Sequence, residues 1–178
     1  GLDGFTWRLA TPFIKNGTMP FLVKMVSNGS HGKLRSVMPY ETSPAWVSLQ
    51  TGCNPGKTGV FAFHTFDREK KQIHLNSYLD IKVPTIWEIA DKAGKKVVSI
   101  NMPVTSPPPE LEKGIIIPGL LCPGLSAESV WPPEVYSKYI EPIQDYAIVH
   151  KDSEDTDHEF IESSIKTLHG RREASLNI

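Results

Sequence analysis

The stretch Thr42-Ser-Pro-Ala-Trp-Val-Ser-Leu-Gln-Thr-Gly-Cys-Asn-Pro-Gly-Lys-Thr-Gly59 decides how the rest of the chain is read. Its tail, Gly56-Lys57-Thr58, looks like the end of a phosphate-binding P-loop. That motif needs a Gly, four residues, then Gly-Lys-Ser/Thr. Counting back from Gly56, the first Gly should stand where Thr51 is, and Gly52 leaves the loop one residue short. Pro55 lacks the N–H that a phosphate cradle uses. A P-loop also follows a strand and opens a helix. Here Ser43 reads as an N-cap and Pro44 as the first helical residue, so a helix comes before the loop. It runs to about Thr51, where Gly52 ends it. Asn54-Pro55-Gly56 then reads as a turn and Lys57 as a solvated side chain. The stretch is helix, turn and the approach to a strand.

Outward from it, helices and strands alternate. Residues 18–29 read as a helix, with Phe21, Leu22, Met25 and Val26 on one face and Gly29 as its stop. Residues 34–38 read as a short strand, and residues 60–66 as strand-like. Thr85-Ile-Trp-Glu88 forms a capping box for a helix that ends at Gly94. Residues 96–100 read as a buried strand, 103–109 as a loop and 114–118 as another apolar strand. Pro132-Pro133 opens a helix to about Tyr139. Thr156-Asp-His-Glu159 forms a second capping box, for a helix with Phe160, Ile161, Ile165 and Leu168 facing inward. Trp46 and Trp87 read as packing aromatics. This alternation predicts an α/β layered fold with a largely parallel sheet.

Bulk properties narrow the function classes. The chain has 178 residues and a net charge of −1, with 39% apolar and 22% charged residues. Lys and Arg are scattered, without the basic-aromatic pattern of a nucleic-acid channel. No apolar run reaches a membrane span. Cys53 and Cys122 have no metal or redox spacing; they read as two free thiols in a reducing compartment, with a single disulfide as the alternative.

Two residues stand out chemically. Thr42 stands just before Ser43-Pro44, at the mouth of a helix. Such a mouth offers N–H groups and partial positive charge to an anion. A hydroxyl there could attack phosphorus if a divalent metal lowered its pKa. Asp3, in Gly1-Leu2-Asp3-Gly4, is the kind of carboxylate found where a strand passes into a loop, and it could hold such a metal.

Taken together, Gly1-Leu2-Asp3-Gly4 and Pro39-x-x-Thr42-Ser-Pro44-Ala-Trp-x-Ser-x-x-Thr51-Gly52-x-Asn-Pro55-x-Lys-x-Gly59 resemble the alkaline phosphatase superfamily. Within it the chain is most similar to the type I phosphodiesterase/nucleotide pyrophosphatase group and its predicted phosphohydrolase/phosphomutase relatives. Lys82-Val-Pro-Thr-Ile-Trp-Glu88, Asn101-Met-Pro-Val-Thr-Ser-Pro-Pro108 and Ile117-Pro-Gly-Leu-Leu-Cys-Pro-Gly124 extend the resemblance to about Tyr146. It implies a three-layer α/β/α sandwich with a largely parallel sheet. The activity implied is metal-dependent hydrolysis of small-molecule phosphate esters through a covalent phosphothreonine. Two divalent ions are implied, zinc or alternatively manganese. Asp3 matches the family's first metal-binding aspartate, and Thr42 matches its nucleophile, which also touches a metal. Ser43 is first a helix cap, with a backbone N–H that could meet phosphate. No nucleic-acid polymer and no membrane span are expected, and the expected location is cytoplasmic.

The pattern departs from the group at two places. Thr58 stands where the group often has His, and Phe63 where it has an Asn that holds a phosphoryl oxygen. That favours phosphohydrolase over nucleotide pyrophosphatase. The group's later ligands, an Asp-x-x-x-His segment, an Asp-His pair and a further His, find no match. Asp157-His158 lies inside a capping box, and His31, His64, His74, His150 and His169 lack ligand spacing. Nor does an apolar strand precede Asp3. The expectation is therefore that residues 1–178 are the N-terminal part of one catalytic domain, with the first strand and C-terminal half missing. Alone they should be inactive and poorly stable. Two other readings compete. One is a mutase or sulfatase, with Thr at the nucleophile position arguing against a typical sulfatase. The other is a catalytically inactive binding or scaffold domain of the same fold.

Overall fold

Thr6 begins the first helix, α1 (Trp7–Lys15), with its Oγ1 accepting from the Leu9 N–H at 3.3 Å. The structure, a computed structural model, describes residues 1–143, 145–149 and 156–178. It divides into two units, residues 1–36 and 37–178. In the first, α1 is followed by α2 (Pro20–Asn28). Sequence reading assigned nothing to α1, because Pro12 stands inside it. The helix predicted over 18–29 is present, but Phe21 and Met25 on its apolar face are exposed. The strand predicted over 34–38 does not form. No described strand pairs with this run, and Leu34 is 94% exposed, so nothing rewards its extension.

The second unit starts with α3 (Thr42–Thr51), which ends at Gly52 in the left-handed region, φ +66°. Asn54 then caps one further helical turn, α4 (Pro55–Thr58), its side chain accepting from the Lys57 N–H at 3.2 Å. Gly59 closes that turn at φ +84°. The predicted turn is thus a single turn of helix, and Lys57 is exposed as expected. A hairpin follows, β1 (His64–Asp67) antiparallel to β2 (Gln72–Leu75), with His64 opposite Leu75. The strand predicted over 60–66 starts only at His64, because Val60 is fully buried in a core patch before it.

α5 (Ile86–Lys92) carries the predicted capping box. Thr85 donates its N–H at 2.7 Å and its hydroxyl at 2.8 Å to Glu88 Oε2. Beyond it, β3 (Val97–Met102) pairs in parallel with β4 (Gly114–Pro118), with Val97 opposite Gly114 and Ile100 opposite Ile117. β3 was read as buried, yet Val98 is half exposed.

The parallel pair has a layer on each face. Ile116 packs with Trp87 of α5 and Leu111. Its neighbour Ile117 points the other way, into Val130, Val135, Ile140, Ile143 and Ala174. Adjacent strand residues alternate faces, so two successive isoleucines serve two layers. Each contributes about 1.5–3 kcal/mol by leaving water. This is an α/β fold with a small parallel sheet, consistent with an alkaline phosphatase-like architecture.

Two helical readings need correction. The helix from Pro132-Pro133 is a short turn that continues as a π-helical segment over Tyr136–Ile140. The last helix, α6 (Asp157–Asn177), starts at the Thr156 cap as predicted, but it faces the other way. Phe160, Ile161, Ile165 and Leu168 are exposed, and Thr167, Gly170 and Ala174 are buried. The reason is close approach. A Cβ on Gly170 would stand 2.6 Å from the Asp145 carbonyl carbon. Only the small face of α6 fits there, and Arg171 beside it donates to the Ala147 and Ile148 carbonyls.

Candidate functional site

Thr42 is the first residue of α3, and Glu41 before it is the N-cap, with extended φ −144° and ψ 154°. Ser43 was expected as the cap. It lies one residue inside the helix, because the chain turns helical at Thr42 and Pro44 is tolerated throughout the first turn. Glu41 makes no capping hydrogen bond with its side chain, and no acidic residue stands in the first turn. No capping bond from Glu41 therefore occupies the N–H groups at the start of α3. Thr42 is half-buried and Ser43 is fully buried. Ser43 Oγ has no hydrogen-bond partner among the described residues, which is unusual for a buried hydroxyl.

Behind this mouth, α3 is anchored at its far end. Val47 packs on Val60 and Val104, and Gln50, 1% exposed, donates its Nε2 to the Pro103 carbonyl at 2.6 Å. Sequence reading missed Gln50. The available signal was a polar residue three positions after Val47, on its inward face.

Asp3 lies in the first unit, exposed, in a turn where Gly4 takes φ +64° and donates its N–H to Asp3 Oδ1 at 3.1 Å. The histidines are otherwise engaged or isolated. His74 Nε2 is 2.8 Å from Asp80 Oδ1, His158 is 3.8 Å from Glu162 on the surface of α6, and His31 lies against the Trp7 ring. His150 lies outside the described residues. Among the described residues no three His, Cys, Asp or Glu side chains come together as a metal ion would need. One carboxylate from Asp3 and one hydroxyl from Thr42 do not by themselves make a two-metal centre. Cys53 and Cys122 are free, half-buried thiols. Phe63, at the position where an amide was looked for, is half-buried, and its carbonyl accepts from the Asn76 N–H at 2.8 Å.

A surface groove of about 410 Å³ between Tyr78, Ile81, Lys82, Pro84, Glu88 and Lys92 does not include Thr42. Its carboxylate is already committed, since Glu88 caps α5 and accepts from the Tyr78 hydroxyl. Burial and that bond to Glu88 push the Tyr78 phenol upward, so it stays neutral.

A further ionic cluster was not read from sequence. Asp80 Oδ2 accepts from the Ser77 N–H at 2.8 Å and from its hydroxyl at 3.0 Å, while Oδ1 meets His74. Partial burial raises the Asp80 carboxyl, but the bonds from His74 and Ser77 outweigh it and hold the group below its usual range. A carboxyl depressed in the folded state adds stability above its unfolded pKa. That stability is lost as pH falls through the folded value. We expect Asp80→Asn to be less stable than wild type at neutral pH, and the gap to close below about pH 4. Urea unfolding of both proteins at neutral and acid pH measures this; a gap of the same size at both would contradict it.

A threonine hydroxyl at the positive end of a helix, in an α/β fold, is suited to handle an anion. The family model for type I phosphodiesterase / nucleotide pyrophosphatase matches residues 1–169, and the chain belongs to that family. At that level it belongs with the phosphoester hydrolases. No solved structure matches the chain. No described helix is long and apolar enough to cross a membrane.

Proposed function

We propose that the chain carries the nucleophile half of a phosphoester hydrolase site, with Thr42 as nucleophile. The observation that carries this reading is the mouth of α3: Thr42 at its first position, no side-chain cap from Glu41, and Ser43 Oγ buried without a partner beside it. The Thr42 Oγ1 attacks phosphorus. The P–O bond to the leaving group breaks, and the leaving oxygen takes up a proton. The Oγ1 proton is given up in the attack; water then cleaves the phosphothreonine, restores the hydroxyl, and releases phosphate from a monoester or a phosphate monoester from a diester. The α3 N-terminus and the Ser43 backbone N–H stabilise the phosphoryl charge. Small-molecule phosphate esters are the substrate class. With Phe63 at the position of the group's amide, hydrolysis of nucleotide pyrophosphates is not the favoured reaction.

Two divalent ions, zinc or manganese, belong to the proposal, with Asp3 and Thr42 among their ligands. No further donors for them are assigned among the described residues. Chelation should abolish hydrolysis by the full-length protein, and added zinc or manganese should restore it. Activity that survives exhaustive chelation rules out this part of the reading. The test of Thr42 itself is acid quenching during turnover, followed by peptide mapping. A phosphoryl group on Thr42 supports the proposal; turnover with label on another residue overturns it. The second reading, an inactive binding domain, is favoured only by the absence of a metal-ligand cluster among the described residues. It predicts no turnover at all.

A further inference from the structure

We propose that Gln50 is a positioning residue for Thr42: its buried carboxamide locks helix α3 onto the carboxyl end of β3, and so sets where the Thr42 hydroxyl meets the phosphate ester. The inference rests on the role given to Thr42 above. Four observations lead to it.

The first is the bond itself. Gln50 is 1% exposed, and its Nε2 donates to the Pro103 carbonyl at 2.6 Å. Apolar contacts of Val47 with Val60 and Val104 hold α3 in place but let it slide and rotate a little. A hydrogen bond has a preferred length and direction, so it removes that freedom.

The second is the anchor. Pro103 lies between Asn101 at φ +56° and Val104 at φ +58°, and Leu121 facing them has φ +76°. A β-branched residue in the left-handed region is costly and persists only where its surroundings over-determine it. They do. The Val104 N–H donates to the Leu120 carbonyl at 3.0 Å, and the Gly119 N–H to the Met102 carbonyl at 2.9 Å. The Thr105 hydroxyl donates to the Met102 carbonyl at 2.7 Å, and the Ser106 carbonyl accepts from the Tyr78 N–H at 2.9 Å. The Val104 side chain is 1% exposed. This loop is a fixed point, and it follows β3 at the carboxyl edge of the parallel pair, the edge where α/β proteins place their ligands.

The third is the orphan. Gln50 Oε1 is buried and has no hydrogen-bond partner among the described residues. A buried acceptor left unpaired by protein groups lowers stability, so stability alone does not explain an amide here. Geometry does. The fourth is the other end of α3. Glu41 makes no capping bond there, so no N-cap side chain pins the end that carries Thr42. Thr42 and Gln50 sit about 12 Å apart along one rigid helix. A small tilt at Gln50 becomes a displacement at Thr42, and reacting groups misplaced by about 1 Å lose roughly 100-fold in rate.

The test uses the full-length protein with a phosphate ester substrate, and reads kcat and KM separately. Gln50→Met removes the donor at similar volume. Val130→Ala, in a different core cluster, is the matched control for lost stability. At a temperature well below unfolding, Gln50→Met should lower kcat about ten-fold or more with KM little changed, while Val130→Ala leaves kcat as it was. Gln50→Glu keeps the shape and covers the case in which Gln50→Met does not fold. A protonated Glu donates to the Pro103 carbonyl and an ionised one cannot. The kcat of Gln50→Glu relative to wild type should therefore rise as pH is lowered from about 8 to about 5. A folded Gln50→Met with wild-type kcat overturns the inference, and so does a Gln50→Glu whose relative kcat ignores pH. Failure of the underlying reading looks different: wild type itself would show no turnover or no phosphothreonine at Thr42.

Discussion

Thr42→Ala should lower hydrolysis by the full-length protein by roughly 10⁴-fold or more, with the fold unchanged. Alanine at this position removes the only atom proposed to form a bond with phosphorus. Thr42 is the first helical residue and Ala is a good helix former, so the helix itself is kept. A loss of rate far larger than any shift in melting temperature can explain is therefore the expected signature. Thr42→Ser should keep part of the activity, because it keeps the hydroxyl and loses only a methyl group. A substrate analogue should still bind Thr42→Ala, since the helix mouth and the Ser43 N–H remain. Wild-type turnover in Thr42→Ala would transfer the nucleophile role to another group. Full ligand binding in a protein that never turned over in either form would favour the binding-domain reading.

The largest stability effect is expected at Asp91. This carboxylate at the end of α5 is 8% exposed, with Oδ2 accepting from the Glu112 N–H at 2.9 Å and Oδ1 from the Lys113 N–H at 2.8 Å. It ties α5 to the approach of β4, where the Val97 N–H also meets the Lys113 carbonyl at 3.2 Å. Asp91→Ala removes two charge-assisted bonds and strands two backbone donors. The expected cost is roughly 3–5 kcal/mol in chemical denaturation. Asp91→Asn keeps one acceptor oxygen and should lose about half as much. A cost below about 1 kcal/mol for Asp91→Ala would mean that water replaces the carboxylate at both amides.

What could be read in the sequence was local. Gly52 ends α3 because the left-handed residue after a helix favours glycine. The Thr85–Glu88 box opens α5 because both partners lie within one turn. Gly114–Pro118 appears as a strand from its own apolar run. Thr42 was found by spacing, and it does lie at the helix start. What could not be read was pairwise and distant. Nothing near residues 34–38 says that a partner strand is lacking. The large apolar residues of α6 signalled a core face, but the contact was decided by Gly170 against Asp145, far apart in sequence. Gln50 and Asp91 look like ordinary polar helix residues until Pro103, Glu112 and Lys113 are placed beside them. Of the candidate site, the position of Thr42 was legible because its motif is contiguous; its role as nucleophile is the proposal. A metal site would draw on scattered segments, and only Asp3 and Thr42 were read as candidates for one.

The lack of a side-chain cap from Glu41 at the start of α3 sets activity against robustness. A Ser or Asp in place of Glu41 would make a capping bond and stabilise the helix by about 0.5–2 kcal/mol. The same side chain would place an oxygen where the proposed phosphoryl group sits, and with Asp the carboxylate already present at this position would be held against that group. Selection or engineering for thermal tolerance would thus be drawn to a substitution at residue 41 that blocks the proposed reaction. Variants stabilised while turnover is retained should carry their gains elsewhere and keep position 41 without a cap.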